Sequence, residues 1–167
     1  MSACVEEVPG LYGTFRISEK LVQKIWLSGE FEKDGLITTG GDSVCILSPG
    51  KWNLSEEGPD FLGAKIEIGG STFLGDVEIH FRSSDWRAHG HHENPSFDRV
   101  VLHVVLFPLS DYENQTPATT LSGDIPPILE LLPALSEGFE EFAERDAIRS
   151  LSFAQDETIM PDWLGLA

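Results

Sequence analysis

All five histidines of this 167-residue chain lie between positions 80 and 103, and several carboxylates lie beside them. The histidines are His80, His89, His91, His92 and His103, and the neighbouring acids are Asp60, Asp76, Glu78 and Asp85. Imidazole and carboxylate groups transfer protons near neutral pH and bind divalent metal ions. Polar groups gathered in an otherwise apolar sheet cost free energy unless they are paired or bound to a ligand. This stretch therefore predicts a functional site.

The most specific pattern in the stretch is Asp60 followed by Glu78 and His80. Asp60 ends a Gly-Pro-Asp turn before one predicted strand, and Glu78 lies on the next strand. Neighbouring strands are about 4.8 Å apart, so the two carboxylates can converge on one cation. Oxygen ligands suit Mg²⁺ or Mn²⁺. The pattern predicts Asp60 and Glu78 as metal ligands, and His80 as a third ligand or as the residue that positions a water.

The other histidines allow a different site. A spacing of two does not place His89 and His91 on one face of a helix, so they can act together only from a loop. His92 is expected at the surface. His103 lies inside an apolar strand, a position more typical of a hydrogen-bonded core histidine than of a ligand. A zinc site with a carboxylate and histidines is an alternative, its candidate ligands being His80, His89, His91 and His103.

The elements that position these residues follow from the periodicity of the apolar residues. A 3.6-residue period predicts a helix over 17–28, ended by Gly29. Further predicted elements are strands over 44–47, 64–68, 72–82 and 100–107, a short helix within 83–99, and a helical tail over 136–151. Because a strand has a period of two, Asp76, Glu78 and His80 share one face of their strand.

The order of helix, strand, hairpin, helix and strand predicts an α/β (α+β) fold with a mixed sheet and flanking helices. Residues 1–16 are expected to form an N-terminal arm and 17–107 the core. Residues 108–167 are expected to form a loop followed by the helical tail. Whether that last segment packs on the core or belongs to a second half stays open.

The charge balance limits the partners. The net charge is −17, from 28 acidic and 11 basic residues. Such a surface repels polyanions, which disfavours nucleic acid as a partner, and it is compatible with divalent cations. Two cysteines are too few for a disulfide framework, and Cys45 is expected to be buried in its apolar run.

The N-terminal residues lack the basic and apolar pattern of a signal peptide, and no apolar run approaches the roughly 18 residues of a membrane span. A cytoplasmic protein without membrane contact is therefore expected. The oligomeric state stays open.

Several motifs occur in an order that resembles a bacterial family catalogued as domain of unknown function 2851. They occupy residues 48–53, 58–61, 64–66, 75–80, 83–91 and 100–105. The resemblance covers about residues 17–107, and the residues after about 108 have no counterpart in it. Members of that family are much longer than this chain.

The element order and the spacing of Asp60, Glu78 and His80 are also similar to the PD-(D/E)xK nucleases, which have the restriction-endonuclease-like fold. This resemblance implies that Asp60 and Glu78 bind Mg²⁺. It places His80 where those enzymes have a lysine that helps to activate the attacking water. A histidine can act as a base or a ligand, but it cannot supply the permanent positive charge of a lysine.

Three functions stay open from the sequence. The first is a Mg²⁺- or Mn²⁺-dependent phosphodiesterase of nuclease type that uses Asp60, Glu78 and His80. The second is a non-catalytic binding or assembly module on the same fold, in which Glu78, Asp85, His89 and His103 satisfy one another in a polar network. The third is a zinc-binding hydrolase built on the histidines.

Overall fold

The computed structural model describes the backbone of residues 5–10, 13–55 and 57–156, and the side chains of residues 17–55 and 57–151. The strands are β1 (Val5–Gly10), β2 (Gly13–Ser18), β3 (Val44–Ser48), β4 (Lys51–Trp52), β5 (Phe61–Ile68), β6 (Ser71–His80), β7 (Val100–Val105) and β8 (Ile128–Glu130). The helices are α1 (Glu19–Ser28), α2 (Asp85–Ala88), α3 (Asp111–Gln115) and α4 (Phe139–Asp156).

One mixed sheet forms the centre of the molecule. Its strands follow the order β3-β5-β6-β7-β8, and β4 pairs with β5 outside this path. Strands β3, β5 and β6 are antiparallel, whereas β6, β7 and β8 are parallel. Because parallel neighbours need a crossover connection, α2 and its flanking turns run from β6 to β7 across one face of the sheet. The predicted mixed α+β fold is confirmed.

Helix α1 covers the other face of the sheet. Its stripe of Leu21, Val22, Ile25 and Trp26 is buried, as the 3.6-residue period predicts. Gly29 ends the helix with a φ of 66°, a left-handed conformation in which a residue without a Cβ carries no steric penalty. The predicted helix is confirmed, with its start two residues later than position 17.

From Gly75 to His80, strand β6 is buried on both faces, and the two faces differ in chemistry. Val77, Ile79 and Phe81 belong to the main apolar core beneath α1. The alternate residues Asp76, Glu78 and His80 are also buried. These three polar side chains share a face, as the period of two predicts. A second, smaller apolar cluster of Trp86, Phe97, Val100 and Ala118 lies among the residues of the crossover side.

Gly75 allows β6 and β7 to approach closely. A Cβ at this position would lie 2.5 Å from the carbonyl oxygen of Arg99 and 2.4 Å from the side chain of Val101. Both distances are shorter than a van der Waals contact, so no larger residue fits without moving the backbone. The close approach fixes the register that puts Glu78 opposite His103.

Several local features of the structure differ from what the sequence predicts. Strand β5 begins at Phe61 rather than at 64, because Phe61 pairs with Val77 across a register irregularity in the hairpin. The segment over 108–127, expected to be a loop, contains α3, which starts with a capping box between Ser110 and Glu113. Strand β8 was not predicted, since three residues are too few for a periodic pattern.

Cys45 is exposed, so the expectation of a buried thiol is wrong. It pairs with Glu67 in the β3–β5 register, on the side of the hairpin that faces solvent. An apolar run of four residues on an outer strand still alternates between the two faces. Cys4 lies outside the described residues.

Residues beyond position 107 pack on the same core. Leu129 and Leu131 near β8, and Phe139, Phe142 and Ala143 of α4, belong to the main apolar cluster. Lys24 of α1 donates to Asp146 of α4 at 2.7 Å. Strands β1 and β2, most of whose residues lie in the predicted N-terminal arm, form an antiparallel pair. Among the described residues, no helix is long and apolar enough to cross a membrane.

Candidate functional site

Asp60 and Glu78 lie side by side. The Asp60 backbone N–H donates to Oε2 of Glu78 at 3.0 Å, and the Ile79 backbone N–H donates to Oδ2 of Asp60 at 2.9 Å. These reciprocal bonds hold the turn before β5 against the end of β6. The sequence predicted that the hairpin would bring the two acids together, and it does. Their role as metal ligands stays a prediction.

Helix α1 supplies two further polar residues that the sequence analysis missed. Nε2 of Gln23 donates to Oδ1 of Asp60 at 2.7 Å, and Oε1 of Gln23 accepts from the Trp52 indole at 2.8 Å. Oε1 of Glu19 accepts from the Phe81 backbone N–H at 3.3 Å. Glu19 and Gln23 are four residues apart, and this spacing is the signal in the sequence that they share one helix face.

The acids destabilise one another's charged forms. Burial raises the pKa of Glu78 well above its ordinary value, the hydrogen bond from Asp60 lowers it, and repulsion by Glu19 raises it further. Burial and repulsion by Glu78 raise the pKa of Asp60 well above its ordinary value, against the hydrogen bond from Ile79. Carboxylates that are buried and repel one another bind protons or a cation more strongly than separate acids do.

The histidines form a second group on the same face. Nδ1 of His80 lies 2.8 Å from Nε2 of His103 on the neighbouring strand, and Nε2 of His80 lies 3.2 Å from Nδ1 of His89. Ligand nitrogens of His80, His89 and His91 all lie within 4.8 Å of one another. The predicted core position of His103 is correct, since its ring is fully buried.

Glu78 joins the two groups. Its Oε2 faces Asp60, whereas its Oε1 lies 3.0 Å from Nε2 of His91 and 3.4 Å from Nε2 of His80. The 3₁₀ turn His91–Glu93 brings His91 over the strand from the crossover connection. His89 ends α2, and His91 starts this turn. Both therefore come from irregular structure, as the sequence predicts for two residues that act together.

The imidazoles are held in their neutral form. Burial lowers the pKa of His91 to about 4. Burial and repulsion by His91 lower the pKa of His103 to about 3, although Glu113 raises it. Burial and the three neighbouring rings lower the pKa of His80 well below its ordinary value, and burial also lowers that of His89. Neutral rings have free lone pairs, which is the form that binds metals.

Aromatic side chains enclose the histidine group. Phe97 stacks on His91 with ring centroids 3.8 Å apart, and Trp86 contacts the rings of His80, His91 and His103. The Trp86 indole donates to the backbone carbonyl of Thr119 at 2.8 Å. This enclosure excludes water from one side of the group, which strengthens electrostatic interactions there.

Two polar residues of the predicted neighbourhood have local roles. Oδ2 of Asp85 accepts from the Arg82 backbone N–H at 3.0 Å, and its charge raises the pKa of His89, against burial and His91. Oδ1 of Asp76 accepts from the Gly63 backbone N–H at 3.0 Å. His92 lies outside the group of three and faces Glu93, with 3.6 Å between the nearest atoms.

The fold and this cluster define a mixed α+β protein whose neighbouring strands β6 and β7 carry buried acids and histidines. Residues 19–145 match the family described as "Protein of unknown function (DUF2851)", so the chain belongs to that family. The family resemblance predicted from the motifs is confirmed. The expectation that residues after about 108 have no counterpart in the family is wrong, since the match continues to residue 145. No curated protein and no solved structure matches the chain. The relation to the PD-(D/E)xK nucleases stays a prediction.

Proposed function

We propose that this protein is a Mg²⁺- or Mn²⁺-dependent phosphodiesterase of nuclease type, with Asp60 and Glu78 as the metal ligands. One observation carries the proposal: reciprocal hydrogen bonds hold Asp60 against the end of β6 at Glu78, where Glu19 is close enough to repel Glu78. Repulsion between buried acids is relieved when a divalent cation binds. The donors of this group are all oxygen atoms, which is the set that Mg²⁺ and Mn²⁺ prefer.

The residues around the acids have separate roles in this proposal. Gln23 orients the Asp60 carboxylate from α1, and Trp52 fixes the Gln23 amide in turn. His80, which lies beside Glu78, orients the attacking water. A metal ion bound here polarises a phosphodiester and lowers the pKa of a water ligand.

The fold supports the proposal through its element order. An α-helix, an antiparallel hairpin, a crossover helix and a parallel strand follow one another, in the order on which the resemblance to PD-(D/E)xK nucleases rests. The net charge of −17 opposes long polyanions. A short phosphodiester is therefore the better probe of activity than duplex DNA.

The test compares metal binding and hydrolysis in matched variants. Calorimetric titration with Mn²⁺ and Mg²⁺, together with hydrolysis of bis(p-nitrophenyl) phosphate, is measured for the wild type, Asp60→Asn and Asp76→Asn. Asp76 is a buried acid on the same strand face, and its carboxylate accepts a hydrogen bond from Gly63 rather than contacting Asp60 or Glu78. We expect Asp60→Asn to abolish binding of both ions and the hydrolysis, and Asp76→Asn to retain them.

A wild type that binds neither ion, or an Asp60→Asn variant that binds them equally well, would overturn the proposal. Circular dichroism of each variant establishes that the chain is folded before it is titrated. The non-catalytic module would then be the better description. That alternative is supported by the exposure of Glu78 and His80, which is only 5% and 1%.

A further inference from the structure

The three histidines His80, His89 and His91 form a second site, of which the proposed phosphodiesterase chemistry uses only His80. They come from two different elements, the end of β6 and the turns that follow α2. Their ligand nitrogens lie within 4.8 Å of one another. Ligand atoms of a tetrahedral zinc ion are about 3.3 Å apart, so small side-chain rotations bring these nitrogens to that spacing.

An unsatisfied atom points to a ligand at this place. Nε2 of His91 is buried and makes no hydrogen bond to any described residue, although Oε1 of Glu78 is only 3.0 Å away. Buried polar atoms are nearly always satisfied by protein, water or an ion. A cation between His91 and Glu78 satisfies both atoms at once.

The surroundings orient one of the rings for ligation. Nδ1 of His80 faces Nε2 of His103 at 2.8 Å, so Nε2 of His80 is the nitrogen turned toward His89 and Glu78. When Nδ1 carries the proton and donates to His103, the lone pair of His80 Nε2 points into the group. Such a partner behind a metal-binding histidine fixes both its tautomer and its orientation.

We propose that His80, His89, His91 and Oε1 of Glu78 form a binding site for a divalent transition metal of the Zn²⁺ type. Three nitrogens and one oxygen are a common tetrahedral zinc set. The site favours Zn²⁺ or Co²⁺ over Mg²⁺, because imidazole is a poor ligand for Mg²⁺. The two proposals share Glu78 and His80, but they can be tested separately. Asp60 belongs only to the oxygen-donor group, and His89 belongs only to the histidine group.

The test uses the full chain, purified without a histidine tag and stripped with a chelator. Zn²⁺ affinity is measured by competition with a chromophoric chelator, and Co²⁺ serves as a spectroscopic probe of geometry. We expect one equivalent of Zn²⁺ and the intense visible absorption of tetrahedral Co²⁺. His89→Ala should weaken Zn²⁺ binding by about 100-fold or more. His89 is only partly buried, so its loss leaves the fold intact.

His92→Ala is the matched control, because His92 lies in the same turn but outside the group. It should bind Zn²⁺ like the wild type. His91→Ala is the second test variant, with its fold checked by circular dichroism. Substoichiometric Zn²⁺ in the wild type, or equal affinity in the His89→Ala and His92→Ala variants, would overturn the site. Asp60→Asn should retain Zn²⁺ while it loses Mn²⁺, so the two proposals fail separately.

Discussion

Glu78 is the residue at which the two polar groups meet. One of its oxygens accepts a hydrogen bond from Asp60, and the other faces His91 and His80. A carboxylate has lone pairs enough to take part in both contacts. Any ion bound in one group therefore changes the electrostatic environment of the other, and replacement of Glu78 cannot separate them. The variants Asp60→Asn and His89→Ala can separate the two groups, because each changes a residue that belongs to one group alone.

His103 gives a prediction about pH. Burial, followed by repulsion from His91, lowers its pKa from 6.5 to about 3. Between these values the unfolded chain binds a proton that the folded chain does not bind, so this residue makes stability fall as pH decreases through that window. His103→Gln should flatten the decline by up to about 1.4 kcal/mol for each pH unit.

The measurement is the free energy of unfolding in urea at several pH values between 7 and 5, for the wild type and for His103→Gln. The slope matters rather than the absolute stability, because the substitution also changes packing. Equal slopes in the two proteins would show that His103 is protonated in the folded state. The near-ultraviolet circular dichroism spectrum controls for a native fold in the variant.

Some neighbours within the site are predictable from the sequence, and others are not. Asp60 and Glu78 were predictable as neighbours, because a hairpin between two alternating strands fixes which residues face each other. The positions of Glu19 and Gln23 beside these acids were not predictable, because a helix pattern does not tell which face of a distant strand the helix covers. His89 and His91 reach β6 through irregular turns whose path depends on packing against Trp86 and Phe97.

At the scale of elements, the close contact between β6 and β7 holds the site together. Gly75→Ala should destabilise the protein by about 3 kcal/mol or more, because a Cβ there meets the Arg99 carbonyl oxygen at 2.5 Å. Urea unfolding followed by circular dichroism measures this effect. Gly138→Ala is the control, since its Cβ would have no neighbour within 4 Å and its φ is not positive. If both variants had the same stability, β7 could move away without cost.

The sequence predicted the strongly patterned elements of the core and missed the N-terminal strands β1 and β2, strand β8 and helix α3. Helix α1 and strand β6 carry their own periodic signal, so both were found. Strand β8 has three residues, and it exists because β7 offers an open parallel edge. Helix α3 has five residues, and it is stabilised by Glu113, which caps it and accepts from the Ser84 backbone N–H at 2.9 Å. Both depend on tertiary contacts.

At the scale of the whole molecule, α4 packs against the helix that supplies Gln23. Phe142 is 3% exposed and belongs to the same core as α1. Phe142→Ala should therefore lower the free energy of unfolding by about 3 kcal/mol, with a single cooperative transition for the whole chain. Leu151→Ala, at a position 67% exposed, should change it by less than about 0.5 kcal/mol.

Unfolding in urea, followed both by circular dichroism and by tryptophan fluorescence, checks this prediction. Two separate transitions, or a Phe142→Ala variant as stable as the Leu151→Ala variant, would mean that residues after 107 form an independent unit. The division into an arm, a core and a tail stays a prediction until that measurement is made.

The position of β6 in the sheet has a consequence for motion. This strand pairs with β5 up to Val77 and with β7 from Asp76 to His80, so the amides that carry Glu78 and His80 should be among the slowest to exchange with deuterium. The turns that carry His89 and His91 have no such ladder on either side. When an ion binds, the side chains on the crossover connection therefore move to contact it, whereas strand β6 keeps its position.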